Sequence, residues 1–135
     1  MNYILPSMND KLRVIIIGAS GGIGRAFIEL LKNSTQVEVV YALSRNIGHS
    51  ESKKIINMKI DLSCEKSIQT AAAELITTGS FDLCIIATGL LQNEEINPEK
   101  NIKSLKQSSF LKSFTINTIG PALIAKYFIP LLRKD

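Results

Sequence analysis

The chain has 135 residues, of which 45% are hydrophobic and 21% charged, so it predicts a single globular domain with its own core. Its sixteen Lys and Arg residues give a net charge of +4 and are spread along the chain instead of clustering beside aromatic residues, which argues against nucleic acid as a partner. With two cysteines, no CxxC pair and one histidine, the sequence indicates neither a metal site nor a disulfide framework, and we expect a cytoplasmic protein with reduced thiols.

Residues 1–10 form a segment without the features of a targeting signal. They lack a basic start, and the apolar run before Pro6 has only three residues, which is too short for a signal peptide or a membrane span. We therefore expect a loose leader, no membrane partner, and one domain over residues 1–135.

Short apolar runs alternate with segments of helical periodicity along the chain. The runs that predict buried strands are 12–17, 37–43, 55–60 and 81–87. After the first strand, apolar residues repeat at helical spacing, at Ile23, Phe27, Leu30 and Leu31.

A second helix is predicted from about residue 64 to residue 78. Ser63 is placed to cap its first turn, and Gly79 stands where a C-terminal stop belongs. Strands separated by helices of this length form right-handed βαβ units. The expected fold class is therefore α/β, a doubly wound parallel sheet with helices on both faces.

Glycines are concentrated in the turn between the first strand and the first helix. Gly18 is expected to end the strand in a tight turn, Gly22 to let the backbone approach a pyrophosphate, and Gly24 to let the helix pack close to the strand. The free N–H groups at the helix start would then face an anion. A close-packed turn without a ligand would also favour small residues, so both interpretations stay open.

The spacing Gly18-x-x-x-Gly22-x-Gly24 differs from the general G-x-G-x-x-G fingerprint and from the lysine-bearing P-loop. The segment GASGGIG instead resembles the glycine turn of the short-chain dehydrogenase/reductase family. Further matches follow in order along the chain: Asp61-Leu62 after the third strand, the ATG of residues 87–89 in place of N-A-G, and Asn117 in the long fourth helix. The run around Asn117 is most similar to the C-factor-like subgroup of that family.

This resemblance implies an NAD(P)-binding Rossmann-like fold, cut after the fourth strand and the following helix. It implies a nicotinamide cofactor, a small carbonyl or alcohol substrate, a homo-oligomer, and a catalytic role for Asn117. The cofactor-binding residues that it implies are Gly18, Ser20, Gly21, Gly22, Ile23, Gly24, Ser44, Arg45, Asp61, Leu62, Ala87, Thr88 and Gly89.

Ser44 and Arg45, at the end of the second strand, bear on the choice between NAD and NADP. An acidic residue there would accept a hydrogen bond from the ribose 2′-OH of NAD. A hydroxyl beside a guanidinium suits a 2′-phosphate instead, so we expect NADP, with NAD as the alternative. Arg45 could also be a solvated loop residue without this role.

Asn117 interrupts an apolar stripe of the long helix. The stripe consists of Phe110, Phe114, Asn117, Pro121, Ile124, Phe128 and Leu131. On a buried face its amide could bond to a neighbouring carbonyl, or, as the resemblance implies, hold a water in a proton relay. Pro121 predicts a kink one turn earlier, near Asn117 and Gly120.

The acid that the resemblance requires, a tyrosine with a lysine four residues on, does not occur in this sequence. Tyr3 and Tyr127 have no basic residue at that spacing, and Tyr41-x-x-x-Arg45 lies on a predicted strand. We therefore expect the cofactor-binding half of an oxidoreductase, inactive by itself. The alternatives are a non-catalytic nucleotide-binding or signalling module and an inactive truncated remnant.

The predicted fourth strand is apolar on both faces, as a central strand should be. In the strand order 3-2-1-4 expected for this fold, however, its outer side has no partner. An unpaired edge of this kind favours marginal stability, dimerisation or aggregation.

Overall fold

Runs of β-branched residues form the strands of one parallel sheet. The computed structural model of the protein describes residue 8, residues 11–93 and residues 97–134. The strands are β1 (Leu12–Ile17), β2 (Val37–Ser44), β3 (Ile55–Lys59) and β4 (Leu83–Ile86). All neighbours pair in parallel, in the order β3-β2-β1-β4. The predicted strand order is confirmed; the leader, apart from Met8, lies outside the described residues.

Helices connect the strands and cover both faces of the sheet. They are α1 (Gly22–Lys32), α2 (Glu65–Ile76), α3 (Gln107–Phe114) and α4 (Gly120–Phe128), with a π-helical segment at Thr115–Ile119 and 3-10 turns at Ile102–Ser104 and Ile129–Leu131. No helix within this part of the chain combines the length and apolar character that crossing a membrane requires.

The π-helical segment is the irregularity that Pro121 predicts. Proline has no N–H to donate to the Asn117 carbonyl, and its ring would collide with that carbonyl in a regular α-helix. The backbone widens instead, and the Gly120 N–H donates to the Thr115 carbonyl five residues back. The predicted long helix is therefore α3 and α4 joined by a wider turn.

Alternate residues of the central strands build two separate core layers. Ile15, Ile17 and Leu43 point to the side of α2 and α4, where they meet buried Ile68 and Phe128. Val14, Ile16 and Ala42 point to the opposite side, where they meet Leu31 of α1. This two-residue period is what a strand covered on both faces requires, and it confirms the doubly wound architecture.

The helical pattern of α1 is only partly buried. Leu31 is 2% exposed, and Phe27 packs at the edge of the core, but Ile23 is 67% exposed and Leu30 is 51% exposed. The helix therefore turns a different face to the sheet, one that includes Gly24 and Ile28. The close approach of Gly24 to the end of β1 sets the rotation of α1 about its axis. The spacing of the apolar residues does not predict this rotation.

The outer side of the fourth strand is not wholly unpaired, contrary to the prediction. Beyond the 3-10 turn the chain becomes extended, and Leu132 forms a parallel bridge with Phe81. The Phe81 N–H donates to the Leu131 carbonyl at 2.9 Å, and the Arg133 N–H donates to the Phe81 carbonyl at 2.8 Å. Among the described residues, β4 itself has no strand on that side.

Asp82 ties this bridge to β1 at the amino ends of the strands. Its Oδ2 accepts from the Arg13 backbone N–H at 2.8 Å, and its Oδ1 lies 3.0 Å from the Arg133 guanidinium. The Arg13 guanidinium lies over the Phe81 ring and donates to the Thr78 carbonyl at 2.7 Å, which holds the end of the segment after α2. The side chain of Asp82 is only 8% exposed.

The substitution Asp82→Ala tests this tie. It leaves the Arg13 N–H without its carboxylate acceptor, so we expect the free energy of unfolding to fall by about 1–3 kcal/mol. Urea denaturation followed by circular dichroism measures the change, and Glu51→Ala, at an exposed loop position, serves as the control. Equal small effects from both variants would contradict the role of Asp82.

Candidate functional site

A cleft of about 960 Å³ opens at the carboxyl ends of the strands. Because parallel strands end at the same edge, residues that are distant in sequence meet there. The predicted site residues that line the cleft are Gly18, Ser20, Gly21, Ser44, Arg45, Asp61, Leu62, Ala87, Thr88 and Gly89. Gly22, Ile23, Gly24 and Asn117 are not among its lining residues; the first three follow directly after Gly21, and Asn117 bonds to Leu90, and both Gly21 and Leu90 line the cleft.

Several residues of the cleft wall are not among those predicted from the sequence. They are Ile60, Ser63, Leu90, Asn93, Leu111, Lys112, Thr115 and Ile116. Half of these come from α3 and the π-helical segment, which fold back over the carboxyl edge of the sheet. Their helical spacing was visible in the sequence, but the side of the helix that meets the cleft depends on the tertiary packing.

Gly18 occupies the point where β1, α1 and the end of β4 meet. Its φ is +90°, a conformation that side chains rarely adopt, and a Cβ there would lie 2.6 Å from the Ala87 carbonyl oxygen. The N–H groups of Gly18 and Ala19 both donate to the Leu43 carbonyl, at 2.9 and 3.0 Å. The tight turn predicted at Gly18 is confirmed.

Gly24 and Gly22 differ in what surrounds them. A Cβ on Gly24 would overlap the Gly18 carbonyl oxygen, so this glycine lets α1 pack directly on the end of β1. A Cβ on Gly22 would meet nothing within 4 Å. Packing within the fold therefore requires glycine at position 24, whereas packing does not explain glycine at position 22.

The start of α1 has the character of an anion site. Gly21 is the N-cap residue and offers no side-chain cap, and the first turn holds no acidic residue. The N–H groups of a first helical turn have no acceptor within the helix, and the helix dipole adds partial positive charge. With the open space at Gly22, this arrangement fits a dinucleotide phosphate.

Ser44 and Arg45 end β2 at the rim of the cleft. The Ser44 hydroxyl donates to the Asn46 carbonyl at 2.5 Å, and the residue is 7% exposed. Its hydrogen is therefore already used within the protein, while Arg45 is exposed. Of these two side chains, the guanidinium is therefore the one that can donate to an anion at the rim.

Asp61 is held as a carboxylate beside this rim. Ser63 donates to its Oδ1 from both the hydroxyl, at 2.6 Å, and the backbone N–H, at 2.9 Å. The Ser63 hydroxyl contributes most to lowering the pKa of Asp61; burial opposes the shift, and the Ser63 N–H, Arg45 and Lys59 add to it. The prediction that Ser63 caps α2 is wrong: Cys64 is the N-cap, without a side-chain cap.

The side-chain amide of Asn117 bonds to both the N–H and the carbonyl of one residue in the loop after β4, Leu90. Its Oδ1 accepts from the Leu90 N–H at 2.7 Å, and its Nδ2 donates to the Leu90 carbonyl at 2.8 Å and to Ser113 Oγ at 3.2 Å. The prediction of a buried face is wrong here, because Asn117 is exposed, as are Phe110 and Phe114 of the same stripe. The buried part of the stripe begins only at α4.

Comparison with known proteins places these features in a family. A family model described as the NAD-binding domain of semialdehyde dehydrogenase matches residues 13–106. A short-chain dehydrogenase, anuI, of Penicillium roqueforti is 28% identical over 93% of this chain and 51% of its own length. A 3-amino-tetrahydro-pyrrolizinone reductase of Xenorhabdus hominickii is 27% identical over 90% of this chain and 42% of its own.

Solved structures show the same fold. An NADPH-bound carbonyl reductase from chicken fatty liver superimposes with a TM-score of 0.74 at 22% identity, over 92% of this chain and 49% of the reductase. A short-chain dehydrogenase family protein of Francisella tularensis gives a TM-score of 0.76 at 22% identity, over 91% and 47%. The chain thus spans about half the length of the relatives that it matches.

Substitution of Gly22 and of Gly24 by alanine tests the different roles assigned to these two glycines. Gly24→Ala forces a Cβ onto the Gly18 carbonyl, and we expect it to lower the free energy of unfolding by about 2–3 kcal/mol or more. Gly22→Ala enters open space at the start of a helix and should leave stability unchanged or raise it by up to about 1 kcal/mol. Urea denaturation of the two variants measures both effects; a similar loss at Gly22 would show that its space is not open.

Proposed function

The chain belongs to the family of NAD-binding domains that the semialdehyde dehydrogenase model describes and corresponds to the N-terminal, cofactor-binding part of short-chain dehydrogenases/reductases, and from this premise we propose that its cleft binds NADP(H). The reaction proposed for the whole enzyme is hydride transfer between that cofactor and a small carbonyl or alcohol substrate. The likeness to the C-factor-like subgroup and a homo-oligomeric state stay predictions.

The contrast between Gly22 and Gly24 carries this proposal. Packing explains why Gly18 and Gly24 must be glycine, but the space at Gly22 serves nothing within the described structure. It lies at the first helical position of α1, beside N–H groups that lack acceptors within the helix. A phosphate of a dinucleotide would use both the space and the N–H groups.

The preference for NADP over NAD is supported by the charges at the end of β2. No carboxylate stands at Ser44 or Arg45 to accept from a ribose 2′-OH. The exposed guanidinium of Arg45 can donate to a 2′-phosphate, and Ser44 supports it indirectly by bracing the turn through Asn46. Asp61, held ionised by Ser63, lies near this cation, and its negative charge opposes the attraction of Arg45 for a phosphate.

The chemical step needs a proton donor, and neither described tyrosine offers its hydroxyl to the cleft. A nicotinamide dinucleotide, when bound, would supply or accept the hydride, and the oxygen of the substrate would have to exchange a proton as its charge develops. Tyr41 is buried in the core, and the Tyr127 hydroxyl donates to Glu65 at 2.8 Å. We propose that this chain supplies cofactor binding and that residues outside 1–135 supply the acid.

For Asn117 we propose a positioning role beside the expected catalytic one. The side-chain amide of Asn117 bonds to both the N–H and the carbonyl of Leu90, and Leu90 lines the cleft next to Gly89. The amide therefore sets the distance between the loop after β4 and the π-helical segment. The proton relay through a water at Asn117 stays a prediction.

Dinucleotide binding is tested by fluorescence titration with NADPH and NADH. The protein should bind at least one of them, and Gly22→Ala should weaken binding at least about tenfold, because a Cβ fills the space proposed for a phosphate. Gly48→Ala, whose Cβ makes only an ordinary contact with Asn57, should bind as the unaltered protein does. No binding of either dinucleotide at about 1 mM would overturn the proposed function.

The cofactor preference is tested by Arg45→Ala. Loss of the guanidinium should weaken NADPH binding about tenfold and leave NADH binding unchanged, because only NADPH carries the 2′-phosphate. Lys53→Ala removes a cation from the same polar loop and should change neither value. A parallel loss for NADPH and NADH would assign Arg45 a role other than reading the 2′-phosphate.

A further inference from the structure

The carboxylate of Asp61 cancels the charge of the cation at the end of β2. Arg45 carries one positive charge, and Asp61, which Ser63 holds ionised, carries one negative charge beside it. A phosphate monoester carries a charge of about −1.5 to −2 at neutral pH. Arg45 and Asp61 together therefore offer a 2′-phosphate no net attraction, and a further cation at the same edge would restore it.

Lys59, the last residue of β3, lies beside this pair of charges. Its Cα is the ladder partner of Ser44, the residue before Arg45, and neighbouring strands are about 4.8 Å apart. The ladder continues beyond Lys59, because the Ile60 N–H donates to the Ser44 carbonyl at 3.0 Å. Backbone hydrogen bonds thus fix Lys59 next to the end of β2, and both Ser44 and Ile60 line the cleft.

The charge of Lys59 acts on the same carboxylate as the charge of Arg45. The Ser63 hydroxyl contributes most to lowering the pKa of Asp61, and Arg45 and Lys59 both add to the lowering. Lys59 is exposed, and its ammonium forms no ion pair with any residue that the structure describes. With Lys59 included, these three charged residues leave one net positive charge at the carboxyl edge of β2 and β3.

We propose that Lys59 is a second specificity-determining residue for NADPH, whose ammonium offsets the charge of Asp61 and attracts the 2′-phosphate together with Arg45. The inference rests on the proposed function and adds to it a residue from a neighbouring strand. A lysine on an edge strand such as β3 also discourages pairing with other chains. That second role, however, predicts no difference between NADPH and NADH.

The test measures the Kd of NADPH and of NADH by fluorescence titration of Lys59 variants. Lys59→Met keeps most of the apolar stem and removes the charge, so NADPH binding should weaken about 3- to 10-fold while NADH binding stays within about twofold. Lys59→Arg keeps the charge and should preserve the preference for NADPH. Lys103→Met, which removes an exposed lysine from the 3-10 turn at Ile102–Ser104, is the matched control and should change neither Kd.

A double variant tests the charge balance with Asp61. Lys59→Met combined with Asp61→Asn removes one charge of each sign, so the ratio of the NADH Kd to the NADPH Kd should return toward that of the unaltered protein. NADH binding in the same variant corrects for any other contact of Asp61 with the dinucleotide. A ratio as low as that of Lys59→Met alone would overturn the proposed balance.

The outcomes are distinct from those for the proposed function. Unchanged NADPH affinity in Lys59→Met would overturn the inference while leaving dinucleotide binding intact. An equal loss of NADPH and NADH affinity would also overturn it, because the charge of Lys59 would then not act on the 2′-phosphate. If the unaltered protein binds neither dinucleotide, the proposed function and this inference fall together.

Discussion

The close approach of three backbone segments at Gly18 and Gly24 is the constraint on which the rest of the structure depends. The end of β1, the start of α1 and the end of β4 meet where a side chain at Gly18 or Gly24 would overlap a neighbouring backbone oxygen. Because nothing can fill this point from within, the helix starts directly above the central strand. The N–H groups of its first turn have no acceptor within the helix, which makes an anion the natural ligand of this corner.

The contacts that stabilise the fold and the residues proposed to bind the cofactor lie at opposite ends of the sheet. At the amino ends of the strands, Asp82 joins β1 to the extended chain at Arg133, and Arg13 joins the same region to the turn after α2. At the carboxyl ends, the hydroxyl of Thr88 has no described partner and Arg45 is exposed. A fold of this kind can leave polar groups at its binding edge without hydrogen-bond partners because contacts at the opposite edge stabilise it.

The loop after β4 links these observations to the cofactor site. Gly18 contacts one end of it at Ala87 and Thr88, and Asn117 holds the other end at Leu90. The loop is thus set between the glycine turn and the π-helical segment, and both boundaries are properties of the backbone.

The sequence by itself determined the strands, their order and the glycine turn, because these depend on local period and on where a Cβ cannot fit. It also identified most of the cleft, since the carboxyl ends of parallel strands must converge. Only the tertiary structure decided that Ser63 bonds to Asp61 instead of capping α2, that Ile23 faces solvent, and that Asn117 holds an exposed loop. Those outcomes depend on helix rotation and on partners distant in sequence, and a periodic pattern carries neither.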